Sequence, residues 1–167
     1  MKKSLLTLFA VGMILVACNG NKTEAPADTQ EKTEAPVADV PTETAEFTLN
    51  AGDDMKYDVT EMKVKAGQKV KVTLHHTGKS DKTAMGHNFV LLTQDIDFLK
   101  FAEAAIAAAD NEYIPKNLEA DIIAHTKLIG GGETTEIEFT APEKGTYQYL
   151  CSFPGHAAMM NGKFIVE

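Results

Sequence analysis

Cys151-Ser152-Phe153-Pro154-Gly155-His156-Ala157-Ala158-Met159-Met160 places a thiolate, an imidazole and a thioether in one short loop, spaced Cys-x4-His-x3-Met. Two imidazoles and a thiolate in a plane, with a weak thioether on the axis, make a blue-copper electron-transfer site. A second imidazole is available 64 residues upstream of the cysteine, where Gly86-His87 opens the apolar run Phe89-Val90-Leu91-Leu92. Thiolate and thioether suit soft Cu(I), and imidazole suits Cu(II), so a mixed set serves both oxidation states. Met160 as a weak axial donor then tunes the potential rather than holding the metal. Two other readings compete. Cys151 alone reads as a buried hydrophobe, or as a nucleophile with His156 as its base. The second needs an orienting third group and leaves Met160 without a task.

Three segments carry a family resemblance: Met85-Gly86-His87-Asn88-Phe89-Val90-Leu91, Ile123-Ala124-His125-Thr126-Lys127-Leu128-Ile129-Gly130, and Cys151-Ser152-Phe153-Pro154-Gly155-His156. Together they resemble the azurins, the bacterial cupredoxins, over residues 46–167, with little similarity between Gln94 and Glu119. The resemblance implies one copper ion held by His87, Cys151 and His156, with Met160 and the carbonyl of Gly86 as axial contacts. It favours Met160 over Met159 for the axial place. It also implies hydrogen bonds around the Cys151 sulfur from Asn88 and from the backbone amide of Phe153, which shift the potential. His76 matches a histidine that lies near the site without ligating, and is expected to be hydrogen-bonded. His75 is expected to face solvent, and His125 to lie on the surface without a function. The azurin disulfide positions align with Ala45 and Gly67, so that staple is missing.

Short alternating segments point to an all-β domain. Phe47–Leu49, Met62–Val64, Val70–Leu74, Ile137–Phe139, Tyr147–Cys151 and Lys163–Val166 read as strands, with turns at Ala66-Gly67, Gly130-Gly131-Gly132 and Lys144-Gly145. The resemblance implies an eight-stranded Greek-key β-sandwich with one helical insertion. For that helix, Phe98, Phe101, Ala102, Ala105, Ile106 and Ala109 recur at helical spacing behind Asp95 and Asp97. A membrane- or partner-binding helix is the alternative to packing on the sandwich.

The N-terminal residues follow another logic. Residues 1–17 have a lysine pair and an apolar run from Leu5 to Val16 that is too short to span a bilayer. They read as a signal peptide. Its end, Leu15-Val16-Ala17-Cys18, resembles a lipobox, which implies lipidation at Cys18; an ordinary secretory signal is the alternative. Several acyl chains would anchor the protein firmly to a membrane. Residues 18–45 repeat Lys-Thr-Glu-Ala-Pro at Lys22 and Lys32 and hold no aromatic residue, as expected of a linker. As a flexible coil it would reach roughly 30 Å. The chain has two cysteines, so lipidation and metal ligation leave none for a disulfide.

Net charge is −8, there is no arginine, and residues 46–167 hold eighteen acids against twelve lysines. That balance argues against nucleic-acid binding. An apolar patch of Met55, Ala84, Met85, Phe153, Pro154, Ala158 and Met159 matches the region where azurins meet redox partners. Ser80 and Asp81 make one edge of it more polar. Methionine suits adaptable, transient contact. The expected protein is thus a monomeric electron carrier and not an enzyme, exported and lipid-anchored on the periplasmic or cell-surface face. By resemblance its partners are c-type cytochromes, a peroxidase or a nitrite reductase, with His156 as the electron exit. A copper scavenger or delivery protein using the same loop is the alternative.

Overall fold

The computed structural model describes residues 41–167. Eight strands follow in order: β1 (Ala45–Ala51), β2 (Glu61–Val64), β3 (Lys69–His76), β4 (Val90–Leu92), β5 (Ile122–His125), β6 (Thr134–Thr140), β7 (Gly145–Leu150) and β8 (Asn161–Val166). They form two sheets, β1-β3-β6 and β2-β8-β7-β4-β5. β1 runs parallel to β3, and β2 parallel to β8, while β7 and β8 form an antiparallel pair.

Alternation decides which face each strand buries. In β3, Val70, Val72, Leu74 and His76 are fully buried, while Lys71, Thr73 and His75 face outward. Leu49, Val72 and Leu74 from one sheet meet Met62, Leu91, Tyr149 and Phe164 from the other in the main core.

β4 breaks the alternation, and its surroundings explain why. Val90, Leu91 and Leu92 are all fully buried. Leu91 belongs to the core between the sheets, whereas Val90 and Leu92 face a second cluster with Phe101, Ile114, Leu150 and Ala157. The chain between β4 and β5 supplies that second cover. It holds α2 (Phe98–Ala105) and two short 3-10 segments, whereas the one-turn α1 (Lys82–Met85) lies between β3 and β4. Asp97 caps α2 by accepting hydrogen bonds from the N–H groups of Leu99 and Lys100 at 3.1 and 3.3 Å.

Sequence periodicity extends this helix too far. Phe101 and Ala105 are buried, but Ile106 is 55% exposed and Ala109 faces solvent. The α-helix ends at Ala105, and a 3-10 segment kinked at Ala108 (φ −103°, ψ 32°) turns the apolar stripe away from the sheet. β5 is a strand that pattern reading does not propose; it pairs with β4 across a register shift at Leu91/Leu92.

β1 is held without a disulfide. All seven of its residues pair with β3, and the Gln68 side-chain amide donates to the Glu43 carbonyl at 3.0 Å. Gly67, with φ +74°, makes the turn beside it. β1 begins at Ala45, one residue before the expected domain start. The expected signal peptide, the linker up to residue 40 and Cys18 lie outside the described residues. No helix among the described residues is long and apolar enough to cross a membrane.

Candidate metal centre

The site lies where β4 begins and β7 ends. His87 precedes β4 and is fixed by two backbone hydrogen bonds with Ile129, each 2.9 Å. β7 stops at Leu150, and the next ten residues form a closed loop. Cys151 N–H donates to the Met160 carbonyl at 2.9 Å, and Met160 N–H donates to the His156 carbonyl at 2.8 Å. Gly155, at φ +81°, supplies a left-handed turn that a side chain would strain. Asn161 then ties β8 to the loop by donating to the Ala157 carbonyl at 2.8 Å.

This brings the three expected equatorial donors together. One ligand atom each from His87, Cys151 and His156 lie within 4.8 Å of one another, and all three residues are buried. The Cys151 Sγ is 3.6 Å from His156 Nδ1 and 3.9 Å from the Gly86 carbonyl oxygen. Met160 is fully buried at the end of the loop and joined to Cys151 through the backbone. Met159 is 52% exposed.

Hydrogen bonding sets the histidine tautomers. His87 Nε2–H donates to the Gly52 carbonyl at 2.9 Å, which leaves Nδ1 with a lone pair. That Nδ1 is buried and has no hydrogen-bond partner. A buried, unpaired acceptor is costly, and beside a thiol and a second imidazole it fits a metal ion. The mixed nitrogen and sulfur set fits copper. His76 stacks on the His87 ring at 4.3 Å. Its Nδ1 accepts from Gly78 N–H at 3.0 Å and its Nε2–H donates to the Met85 carbonyl at 2.8 Å, so it supports the site without free donor atoms.

The sulfur is also prepared by its neighbours. Burial pushes the Cys151 thiol up to about 11, and the backbone N–H groups of Asn88 and Phe153 pull it back in part. The Asn88 side chain does something else. It bridges the two ligand segments by donating to Ser152 Oγ at 2.8 Å and accepting from Ser152 N–H at 2.9 Å. Burial, followed by the charges of His87 and His76, holds His156 down to about 4. Burial is likewise the main cause that lowers His87.

Of the expected apolar patch, Ala84, Ala158 and Met159 are exposed, and Met55, Met85 and Pro154 are half-buried. Phe153 is a correction: it is buried because its ring packs against Tyr113 at 5.1 Å and His156 at 4.7 Å. His156 is itself only 3% exposed. His125 is exposed, as expected, whereas His75, expected to face solvent, is half-buried. Sequence reading missed Tyr57, whose hydroxyl donates to the Asn88 carbonyl, and the Glu112-Tyr113 step beside Asn88 and Phe153. Neither lies in a segment with a spacing signal.

Two imidazoles and a thiolate converging at the end of an eight-stranded sandwich define a type 1, or blue, copper protein of cupredoxin architecture. The sequence profile of the copper binding proteins, plastocyanin/azurin family, matches residues 43–167, and the chain belongs to that family. Outer membrane protein H.8 of Neisseria gonorrhoeae is 40% identical over 121 residues, covering 70% of this chain; the chain spans 64% of that relative's length. Azurin-1 of Alcaligenes xylosoxydans xylosoxydans is 44% identical over 119 residues, covering 68% of this chain and 91% of that protein. Among solved structures, auracyanin A, a "blue" copper protein of Chloroflexus aurantiacus, superposes with a TM-score of 0.67 at 32% identity, covering 75% of this chain and 100% of that one.

Proposed function

We propose that this chain is a membrane-tethered, single-copper electron carrier. The observation that carries the reading is the buried, unpartnered Nδ1 of His87 facing the Cys151 thiol and His156. His87, Cys151 and His156 would hold the ion, with Met160 and the Gly86 carbonyl as its weaker contacts. Bound copper supplies a one-electron couple between Cu(I) and Cu(II). The chain's task is to keep its donors in one place through that change. The Ile129 bridge fixes His87, the Asn88–Ser152 pair ties its segment to Cys151, and the loop bonds fix His156. Asn88 and Phe153 direct backbone N–H groups at the sulfur and so bias the potential.

Exposed Ala84, Ala158 and Met159, with half-buried Met55, Met85 and Pro154, would form the docking face. Partners would be other redox proteins, such as c-type cytochromes, a peroxidase or a nitrite reductase. The His156 ring is the proposed exit for the electron, although little of it is exposed. The Leu15–Cys18 lipobox and the linker 18–45 would tether the copper domain, from residue 46, to a membrane on the periplasmic or cell-surface side. A relative's description as an outer membrane protein agrees with this.

Burial of all three donors supports carriage of electrons over delivery of copper. Voltammetry separates the two. A carrier gives a reversible one-electron wave and keeps its copper through repeated cycles in the presence of a Cu(I) chelator. Loss of copper to that chelator on each reduction would support delivery instead.

A further inference from the structure

Glu112 and Tyr113 are consecutive residues in the left-handed region, at φ 53° and 63°. A side chain makes this conformation unfavourable, and two in succession persist only where the surroundings impose them. They end the 3-10 segment Ile106–Asn111, in a stretch that contributes no donor atom to the site.

Their contacts converge on the residues next to the donors. The Glu112 carbonyl accepts from Asn88 Nδ2 at 3.3 Å, and Asn88 follows His87. Glu112 Oε2 accepts from Leu128 N–H at 3.2 Å, one residue before the Ile129 that pairs with His87. The Tyr113 ring meets Phe153 edge-on at 5.1 Å, and Phe153 contacts the His156 ring at 4.7 Å. An ion pair with Lys82 at 3.5 Å completes the set; both partners are substantially exposed, so it adds little.

We infer that Glu112 and Tyr113 are positioning residues for the copper centre. Their strained backbone locks the insertion onto the segments that carry His87, Cys151 and His156, and so keeps those donors from relaxing apart. The carboxylate fixes the His87 side through Leu128, and the tyrosine ring fixes the His156 side through Phe153. This rests on copper at the three donors, which the spectrum of the unaltered protein tests separately.

The experiment compares Glu112→Gly, Glu112→Gln, Tyr113→Leu and Tyr113→Phe in the full chain. Glycine accepts the left-handed backbone, so Glu112→Gly removes the carboxylate without adding strain. Glutamine retains an acceptor for Leu128 N–H, and phenylalanine retains the ring. Copper loss from the Cu(II) form to excess chelator, the visible absorption band and the unfolding midpoint of the metal-free protein are read for each. Glu112→Gly and Tyr113→Leu are expected to lose copper at least about tenfold faster with a displaced band, while Glu112→Gln and Tyr113→Phe stay near the original. If Glu112→Gly and Tyr113→Leu lower only the unfolding midpoint and leave band and release rate unchanged, the residues are structural and the inference is wrong. Should Tyr113→Leu fail to fold, Glu112→Gly decides by the same criteria.

Discussion

With copper bound, Cys151 would carry the optical signature of the site, because ionised sulfur is the donor in an intense charge-transfer band. Cys151→Ser should therefore abolish the colour even where some metal still binds, as absorption after copper addition will show. Met160→Leu should retain copper and raise the potential, since loss of the thioether disfavours Cu(II); Met159→Leu should not. The reverse outcome would assign the axial place to Met159. The buried imidazoles set a pH dependence. Burial lowers both, His156 to about 4. As pH falls through about 6.5 the unfolded chain takes up protons on these groups, while folded His156 stays neutral until about 4. Stability of the metal-free protein should thus be full above about 6.5 and decline between that pH and about 4, as denaturant midpoints across the range will show. The donors themselves are legible in the sequence because thiolate, imidazole and thioether share one loop. Asn88's side-chain bridge to Ser152 is not legible, because it joins residues 64 positions apart that only the fold brings together.

At the scale of elements, the insertion between β4 and β5 covers the outer face of β4. Phe101→Ala should remove a fully packed ring from the cluster with Val90, Leu92 and Leu150 and cost about 3–5 kcal/mol. Asp97→Ala should cost about 1 kcal/mol by leaving the first N–H groups of α2 uncapped. Chemical denaturation of the metal-free protein measures both. Six of the eight strands show in the sequence through alternation. β5 does not, because Ile122 to Ala124 run apolar without a break and α-helical or strand readings fit equally. The apolar stripe of α2 is visible, but its end is not: Ile106 keeps the helical spacing, and only the change to 3-10 geometry exposes it. Phe153 reads as a surface residue in the sequence, because the ring that packs against it, Tyr113, comes from a stretch without family signal.

For the whole molecule, the surplus of acids in residues 46–167 should make association with partners depend on ionic strength, since exposed charges are screened beyond about 10 Å at 0.1 M salt. Ala158→Lys, on the exposed rim beside His156, should slow electron exchange with a redox partner while leaving spectrum and potential unchanged. Equal exchange rates across all tested cytochromes would move the docking face elsewhere. Cys18→Ser should leave an uncleaved or mislocalised precursor; normally processed soluble protein would point to an ordinary secretory signal. The sandwich class was legible from alternating strands and glycine turns. The layering was not, because parallel pairing of β1 with β3 and of β2 with β8 depends on contacts distant in sequence. A type 1 copper site in this sandwich shows itself when the metal-free protein is titrated with Cu(II) while visible absorption is recorded. An intense blue band that saturates at one equivalent and vanishes on one-electron reduction is the result expected. A protein that stays colourless with Cu(II), or that prefers zinc at the same donors, would contradict it.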